Sequence, residues 1–144
     1  MKKIFSILLI DDSSDERLLA KMIFKKLDCC QELFFAANGR EAIEFLADYK
    51  EKKDEFGNAF PPILILLDIN MPIMNGFEFL DAYKEFHEDP RYKNSLIMMY
   101  SSSVNPEDHK KSFSFPFVTD YIEKPMTKEK LENTWAKYFP EDFQ

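Results

Sequence analysis

Five polar side chains follow apolar segments of the sequence, each at the point where a segment ends. Asp11 and Asp12 follow the first segment, and Asp68 follows the third. Ser101 and Lys124 follow the fourth and fifth segments. If these segments are parallel strands, their carboxyl ends share one edge of a sheet, where such sheets bind ligands. We therefore expect three carboxylates, a hydroxyl and an ammonium group to converge at this edge.

Carboxylates gathered in this way need a cation, because like charges disfavour one another's ionised form. Mg²⁺ suits such a place, since it takes oxygen ligands from one or two carboxylates together with a phosphoryl oxygen. Mn²⁺ prefers similar ligands. A lysine and a serine beside the metal would contact the remaining phosphoryl oxygens. One carboxylate could then act as a nucleophile and form an aspartyl phosphate.

The elements that would position these groups are short apolar segments alternating with helical patterns. We predict five strands, over residues 4–10, 33–37, 63–67, 96–100 and 118–122. Strict alternation of strands and helices produces a parallel sheet with helices on both faces. The predicted fold class is α/β, a doubly wound five-stranded parallel sheet with five helices, in a single domain over residues 1–144.

The predicted helices have clear starting signals, because a residue that favours the N-cap position precedes each of them. These residues are Ser13, Asn38, Asn75, Asn105 and Thr127. In the first helix, the apolar spacing predicts a buried face made of Leu18, Leu19, Met22, Ile23 and Leu27. Residues 48–62 are mostly charged and run into two prolines. We interpret this connection as an extended end of the second helix followed by an enlarged loop.

Composition narrows the classes of function. The 144 residues are 45% hydrophobic and 31% charged, which is typical of one globular domain. A formal net charge of −7 argues against a nucleic-acid binder. Gly39, Gly57 and Gly76 are spaced too widely for a Walker A or dinucleotide-binding loop. The adjacent Cys29 and Cys30, with no signal peptide and no long apolar run, predict a cytoplasmic protein that neither spans nor binds a membrane.

Four motifs, in this order, resemble the receiver domain of two-component response regulators: LLIDD, LLDINMPIMNG, MYSSS and DYIEKP. Each motif is weak alone, but together they stand at the expected strand ends and cover the chain from about Ile4 to the last helix. The resemblance implies the flavodoxin-like strand order 2-1-3-4-5. The long connection at 48–62 resembles stand-alone receivers of the cyanobacterial phytochrome response-regulator type, so we expect no output domain.

The resemblance implies a role for each acidic residue. Asp68 corresponds to the phosphoacceptor. Asp11, Asp12 and Asp68 correspond to the metal ligands, with Asp12 binding directly and Asp11 through water. The backbone carbonyl of Asn70 corresponds to a further metal ligand.

The resemblance also implies a switch. Ser101 corresponds to the switch hydroxyl and Lys124 to the phosphate-binding lysine. The bond from Lys124 to Pro125 is cis in the family. Tyr121 corresponds to the switch aromatic; the alternative is an ordinary core residue, since aromatic side chains suit strands.

The implied activity is signalling and not catalysis, apart from promoting the protein's own phosphorylation and dephosphorylation. A sensor histidine kinase or a histidine phosphotransfer protein would supply the phosphoryl group. A downstream protein would bind the face formed by the fourth helix, fifth strand and fifth helix of the family fold. The protein would be a monomer or a phosphorylation-dependent homodimer.

Two other functions stay open at this point. A phosphatase of the haloacid-dehalogenase type also uses a strand-end aspartate and Mg²⁺, but it needs a second aspartate where this chain has Asn70. A pseudo-receiver would bind partners without phosphate, which the complete set of acidic residues disfavours.

Several aromatic side chains lie outside the four motifs. We expect His87 and His109 to lie on the surface, away from the strand ends, and Trp135 to lie in the core. Phe113, Phe115 and Phe117 stand in an unusual linker before the fifth strand, and two of them exposed would form a partner-binding patch.

Overall fold

A computed structural model describes residues 1–141 of the chain. Its five strands form one sheet in the order β2-β1-β3-β4-β5, and every neighbouring pair is parallel. The strands are β1 (Ile4–Ile10), β2 (Cys30–Ala36), β3 (Leu64–Leu67), β4 (Leu96–Ser101) and β5 (Val118–Glu123). The predicted fold class and strand order are confirmed.

Helices cover both faces of the sheet. They are α1 (Ser14–Leu27), α2 (Gly39–Ala47), α3 (Tyr49–Phe56), α4 (Gly76–Glu88), α5 (Pro106–Phe113) and α6 (Lys128–Tyr138). All five predicted N-cap side chains accept a hydrogen bond from a backbone N–H in the first turn of their helix. The predicted number of helices is wrong, because residues 1–141 contain six.

The additional helix is α3, which lies in the long connection at 48–62. Asp48 leaves the helical conformation (φ −86°, ψ 57°), so α2 ends and a separate helix begins at Tyr49. The rings of Tyr49 and Phe56 pack against phenylalanines of β2 and of the segment before β3. A 3₁₀ turn, Gly57–Ala59, follows. The sequence did not indicate this helix, because its interior residues are charged and only its first and last residues are aromatic.

Two apolar layers form the core, one on each face of the sheet. The first lies against α2 and α4 and contains Phe79 and Tyr83. The second lies against α1 and α6 and contains Phe24 and Trp135, which confirms the core position predicted for the tryptophan. Within residues 1–141, no helix has the length and apolar character needed to cross a membrane.

The buried face of α1 agrees only in part with the prediction. Leu18 and Met22 are 57% and 61% exposed, and Leu19 is also exposed. Ala20 and Phe24 are buried in their place. The face that packs on the sheet is formed by Ala20, Phe24, Ile23 and Leu27. The prediction is confirmed for Ile23 and Leu27, which pack against the second core layer, and wrong for Leu18, Leu19 and Met22.

The edge strand β2 begins three residues earlier than predicted. Cys30 pairs with Ile4 of β1, and the polar Gln31 and Glu32 that follow it are exposed at the open edge of the sheet. Cys29 and Cys30 are free thiols. An edge strand needs few apolar residues, so its start leaves little signal in the sequence.

The three phenylalanines between α5 and β5 do not form an exposed patch. Phe113 is 48% exposed at the end of α5, whereas Phe115 is buried and Phe117 packs partly against the same core. Two exposed rings were the condition for a partner-binding patch, and that condition is not met.

Candidate functional site

The carboxyl edge of the sheet brings four of the predicted side chains together. Asp11 directly follows β1, Asp68 directly follows β3, and Lys124 directly follows β5. Ser101 is the last residue of β4. Asp11, Asp68 and Ser101 are buried, and the side chain of Lys124 is nearly so. The four groups meet because β1, β3, β4 and β5 are consecutive neighbours in a parallel sheet.

One ammonium group lies between two carboxylates. Lys124 Nζ is 2.6 Å from Asp11 Oδ2 and donates a hydrogen bond of 3.1 Å to Asp68 Oδ2. Burial alone would lower the pKa of Lys124, but the two carboxylates raise it above its usual value. Burial raises the pKa of Asp68. The positive charge of Lys124 lowers this pKa, and the negative charge of Asp11 raises it further. Negative charge is therefore in excess at the site.

The acidic residues suit a hard divalent cation. Carboxylate oxygens of Asp11, Asp12 and Asp68 all lie within 4.8 Å of one another. Asp11 Oδ2 is buried and, within residues 1–141, no donor makes a hydrogen bond of good geometry to it. A buried carboxylate oxygen without a full complement of partners is costly unless a cation compensates it. The donor set therefore fits Mg²⁺ or Mn²⁺.

A glycine holds the start of α4 close to Asp68. Gly76 N–H donates to the carbonyl oxygen of Ile69 at 2.8 Å. A Cβ on Gly76 would collide with the carbonyl oxygen of Asp68 and would lie 2.9 Å from Ile69 Cα. Asp68 Oδ1 in turn accepts a hydrogen bond of 2.8 Å from Ile69 N–H. The Asn-Gly pair thus serves two purposes, since Asn75 caps α4 and Gly76 permits the close approach.

The backbone around Lys124 directs its side chain into the site. Lys124 N–H donates to the carbonyl oxygen of Ser101 at 3.0 Å, which ties the two strand ends together. The Lys124–Pro125 peptide bond is cis, the form that the resemblance implied. Asn70 is exposed in the loop after Asp68. Its role as a carbonyl ligand stays a prediction.

Ser103, which the sequence analysis missed, connects the predicted switch residues. Its N–H donates to Ser101 Oγ at 3.2 Å, and its carbonyl oxygen accepts from the hydroxyl of Tyr121 at 2.9 Å. Its own hydroxyl donates to Asp108 Oδ2 in α5 at 2.6 Å. The signal in the sequence is faint, since a serine shortly before a helix cap commonly bonds to the first turn.

The two histidines differ in position. His87 is exposed on α4, as predicted. His109 is half-buried on α5, and its ring stacks on that of Tyr121 with centroids 3.7 Å apart and planes 22° from parallel. The prediction that His109 is a surface residue remote from the strand ends is wrong, because α5 packs directly on β5 beside the site.

A doubly wound parallel sheet with a carboxylate cluster, a hydroxyl and a buried lysine at its carboxyl edge defines a receiver-type protein. Residues 7–136 match the family model described as "Response regulator receiver domain". The chain belongs to this family. Receiver domains are signalling domains of two-component systems, generally not catalysts, and they take phosphate from histidine kinases.

Known proteins support this assignment. The chain is 32% identical to the chemotaxis protein CheY of Halobacterium salinarum, over 85% of this chain and 86% of that protein. A two-component response regulator from Cytophaga hutchinsonii has a similar structure, with 32% identity, a TM-score of 0.79, and coverage of 97% of this chain and 100% of that one.

The similarity to cyanobacterial phytochrome response regulators is also confirmed. The phosphorylated cyanobacterial phytochrome response regulator RcpA is 27% identical with a TM-score of 0.65, over 91% of this chain and 88% of that one. The Mn²⁺-bound form of Rcp1, a protein of Synechocystis, is 26% identical with a TM-score of 0.69, and 97% of each chain is covered. Other relatives are much longer. The chain spans only 14% of the sensor histidine kinase CheAY of Helicobacter pylori and 24% of a probable cyclic di-GMP phosphodiesterase of Vibrio cholerae.

Proposed function

We propose that this protein accepts a phosphoryl group on Asp68 from a phosphohistidine donor and signals through a conformational change on the face formed by α5, β5 and α6. This face corresponds to the fourth helix, fifth strand and fifth helix of the family fold, because α3 is additional here. The observation that carries the proposal is the buried Asp68 carboxylate, which shares Lys124 with Asp11 at the carboxyl edge of the sheet.

The transfer step is a displacement at phosphorus. A carboxylate oxygen of Asp68 forms a bond to phosphorus, and the P–N bond of the phosphohistidine breaks. The imidazole leaves with the electron pair of that bond, and the product is an acyl phosphate. Water later cleaves the acyl phosphate, which restores the carboxylate and releases inorganic phosphate.

The residues around Asp68 support a role in the transfer step. Lys124 already lies within hydrogen-bonding distance of Asp68 Oδ2, so its ammonium group neutralises charge on the incoming phosphoryl oxygens. Ser101 supplies a hydroxyl from the end of β4. A bound Mg²⁺, held by Asp11, Asp12, Asp68 and the carbonyl oxygen of Asn70, would offset the combined negative charge of carboxylates and phosphoryl group. Mn²⁺ would be a substitute.

The exposed apolar stripe of α1 supports docking of a helical donor. Leu18, Leu19 and Met22 form this stripe within the helix that begins directly after the acidic pair. Arg17 Nη1 donates to the carbonyl oxygen of Asp11 at 2.6 Å, so the first turn of α1 is tied to the site. An amphipathic donor helix that covers the stripe would bring its phosphohistidine close to Asp68.

Phosphorylation would then reach the signalling face through the loop after β4. The added charge beside Ser101 draws its hydroxyl towards the phosphoryl group, and Ser103 connects Ser101 to Tyr121 and α5. Two populated arrangements of this loop and of Tyr121 would be sufficient for a switch, because ligands act by shifting existing populations.

Capture of a phosphoryl group or its analogue tests the proposal. The protein is incubated with acetyl phosphate and Mg²⁺, or with beryllofluoride and Mg²⁺, and the adduct is measured by intact mass or by fluorine NMR. We expect one adduct in the wild type, none in Asp68→Asn, and full capture in the control Asp54→Asn, which changes an exposed acid of α3. Turnover of p-nitrophenyl phosphate or failure of the wild type to capture either reagent would contradict the proposal.

The donor surface has its own test. Leu18→Asp combined with Met22→Asp changes only exposed side chains. We expect this variant to react normally with acetyl phosphate and to receive phosphate from its histidine kinase at least about tenfold more slowly. Burial of each apolar side chain contributes roughly 1.5–3 kcal/mol, and a factor of ten requires about 1.4 kcal/mol. Equal transfer rates from every kinase that phosphorylates the wild type would exclude this surface.

A further inference from the structure

A cleft beside the start of the edge strand β2 lies outside every role assigned above. It has a volume of about 430 Å³, and its lining includes Cys30 together with Lys3, Lys21 and Lys25. We propose that Cys30 is a thiol modification site that undergoes exchange with small disulfides carrying carboxylate groups, of which glutathione disulfide is the type. The modification is independent of the proposed function, because Cys30 pairs with Ile4 at the end of the sheet opposite to the acidic cluster.

The end of α1 and the beginning of β2 form the walls of this cleft. Lys21 and Lys25 stand about one turn apart on α1, and Lys3 directly precedes β1. The rings of Phe24 and Phe35 add apolar surface to the lining. The volume is within the range of small-molecule sites, roughly 300–1,000 Å³. A small peptide-like ligand therefore fits the cleft by size.

Positive charge in the cleft is only partly neutralised. Lys3 Nζ pairs with Asp28 Oδ1 at 3.0 Å. Within residues 1–141, no carboxylate forms an ion pair with Lys21 or Lys25. Glu32 also lines the cleft, but it is exposed and solvent screens its charge. This local excess of positive charge, on a chain of net charge −7, favours a ligand that carries carboxylates.

The two adjacent thiols differ in accessibility. Cys29 is completely buried, and its N–H donates to the carbonyl oxygen of Phe24. Cys30 is half-buried and packs only partly against the core. Interaction with the Cys29 thiol lowers the pKa of Cys30, and the charge of Lys3 lowers it further, although burial opposes both. The same interaction and burial raise the pKa of Cys29. Accessible thiolates beside positive charge are the reactive ones, so Cys30 is the sulfur that reacts.

The reaction is a thiol–disulfide exchange. The thiol of Cys30 loses its proton to solvent, and the resulting thiolate attacks one sulfur of the ligand. A new S–S bond forms as the S–S bond of the ligand breaks. The leaving thiolate takes the electron pair of the broken bond and accepts a proton from solvent. Cys30 is thereby oxidised to a mixed disulfide and one half of the ligand is reduced, and an excess of reduced thiol reverses the step.

The first measurement identifies the reacting sulfur. The folded protein is incubated with glutathione disulfide and quenched with acid, and the adduct is located by intact mass and peptide mapping. We expect one glutathione per chain, attached to Cys30 and released by dithiothreitol. Cys30→Ser should form no adduct, whereas the matched control Cys29→Ser should still form one. Peptide mapping of the wild type distinguishes the two sulfurs even if replacement of the buried Cys29 prevents folding.

The second measurement tests the lysines. Rates of adduct formation are measured with glutathione disulfide and with hydroxyethyl disulfide, which is uncharged, and their ratio removes the intrinsic reactivity of the thiol. Combined Lys21→Gln and Lys25→Gln should lower this ratio by about two- to tenfold, the range expected for partly exposed charge pairs. Glu32→Gln should raise it. Combined Lys110→Gln and Lys111→Gln, which removes the same charge from α5, should leave it unchanged.

Three results would overturn the proposal. They are the absence of an adduct on the folded wild type, an adduct on Cys29 in place of Cys30, and a ratio of rates that loss of Lys21 and Lys25 does not change. Failure of the proposed function would look different, because the wild type would not capture beryllofluoride while the glutathione adduct would still form on Cys30.

Discussion

The two ends of the sheet satisfy their buried groups in opposite ways. At the amino end, Ser6 is buried and its hydroxyl both donates to the carbonyl oxygen of Ala59 and accepts from the N–H of Ile63. At the carboxyl end, Asp11 is equally buried, yet its Oδ2 has only the ion pair with Lys124. The buried Ser6 hydroxyl at the amino end is thus fully hydrogen-bonded within the chain. At the carboxyl end, the buried Asp11 Oδ2 can still accept a hydrogen bond or bind a cation.

The surrounding side chains extend this contrast. Phe60, before β3, is completely buried among the rings of Phe45, Tyr49 and Tyr92. Three of these residues belong to α2, α3 and the segment that follows it, so the long connection enlarges the apolar core at that end. Active sites commonly sacrifice stability for function.

The largest effect is expected from Phe60→Ala. Removal of a fully buried ring destabilises a protein by about 3–5 kcal/mol. Chemical denaturation should show this loss, while the folded protein should still capture beryllofluoride. Phe113→Ala is the matched control, because that ring is 48% exposed and its loss should change stability by less than about 0.5 kcal/mol. A loss of capture in the folded fraction of Phe60→Ala would show that the two ends are not independent.

A pair of glycine substitutions should separate the two ends more finely. Gly76→Ala forces a Cβ against the backbone of Asp68, so we expect a loss of about 1–3 kcal/mol in stability together with weakened capture of beryllofluoride. Gly57→Ala meets no neighbouring atom but has a φ of +56°, so it should cost about 1 kcal/mol and leave capture unchanged. Denaturation and fluorine NMR distinguish the outcomes, and normal capture by Gly76→Ala would show that the close approach does not position Asp68.

The smallest expected effect is a pH dependence from Asp68. Burial raises the pKa of this carboxyl in the folded protein, whereas an aspartate in the unfolded chain has a pKa of about 3.9. Between the unfolded-state pKa and the raised folded-state pKa, the folded protein binds more protons than the unfolded chain. The contribution of Asp68 to stability therefore falls as pH rises through this window. Denaturation midpoints without divalent cations, compared between wild type and Asp68→Asn from about pH 4 to 7, should converge at the acidic end. Denaturation midpoints that differ between the two proteins by the same amount at every pH would contradict a raised pKa of Asp68.

Much of the fold could be predicted from the sequence. The four residues Leu64–Leu67 are all buried, and such short apolar runs between capped helices indicate a parallel sheet regardless of details. The placement of Asp68 and Lys124 follows from the same pattern, because parallel strands end at one edge. The order of the strands came from the family resemblance, because hydrophobic periodicity alone does not show which strands pair with one another.

The predictions failed where alternative tertiary contacts compete for the same residues. Met22 and Phe24 are both large and apolar, and only packing against the sheet decides which of them is buried. The helix at Tyr49–Phe56 depends on aromatic contacts with distant segments, so local propensity could not reveal it. Ser103 acquires its partners from β4, α5 and β5, and of these only Tyr121 of β5 is distant from it in the chain.

The sequence by itself determined the alternation of strands and helices, the capping residues, and the chemistry available at the strand ends. These features depend on neighbours within a few residues, so they can be read locally. Only the tertiary structure decided that Lys124 lies between Asp11 and Asp68, that Gly76 touches the backbone of Asp68, and that His109 stacks on Tyr121. Such contacts join residues of different elements, and their distances are set by how the helices pack on the sheet.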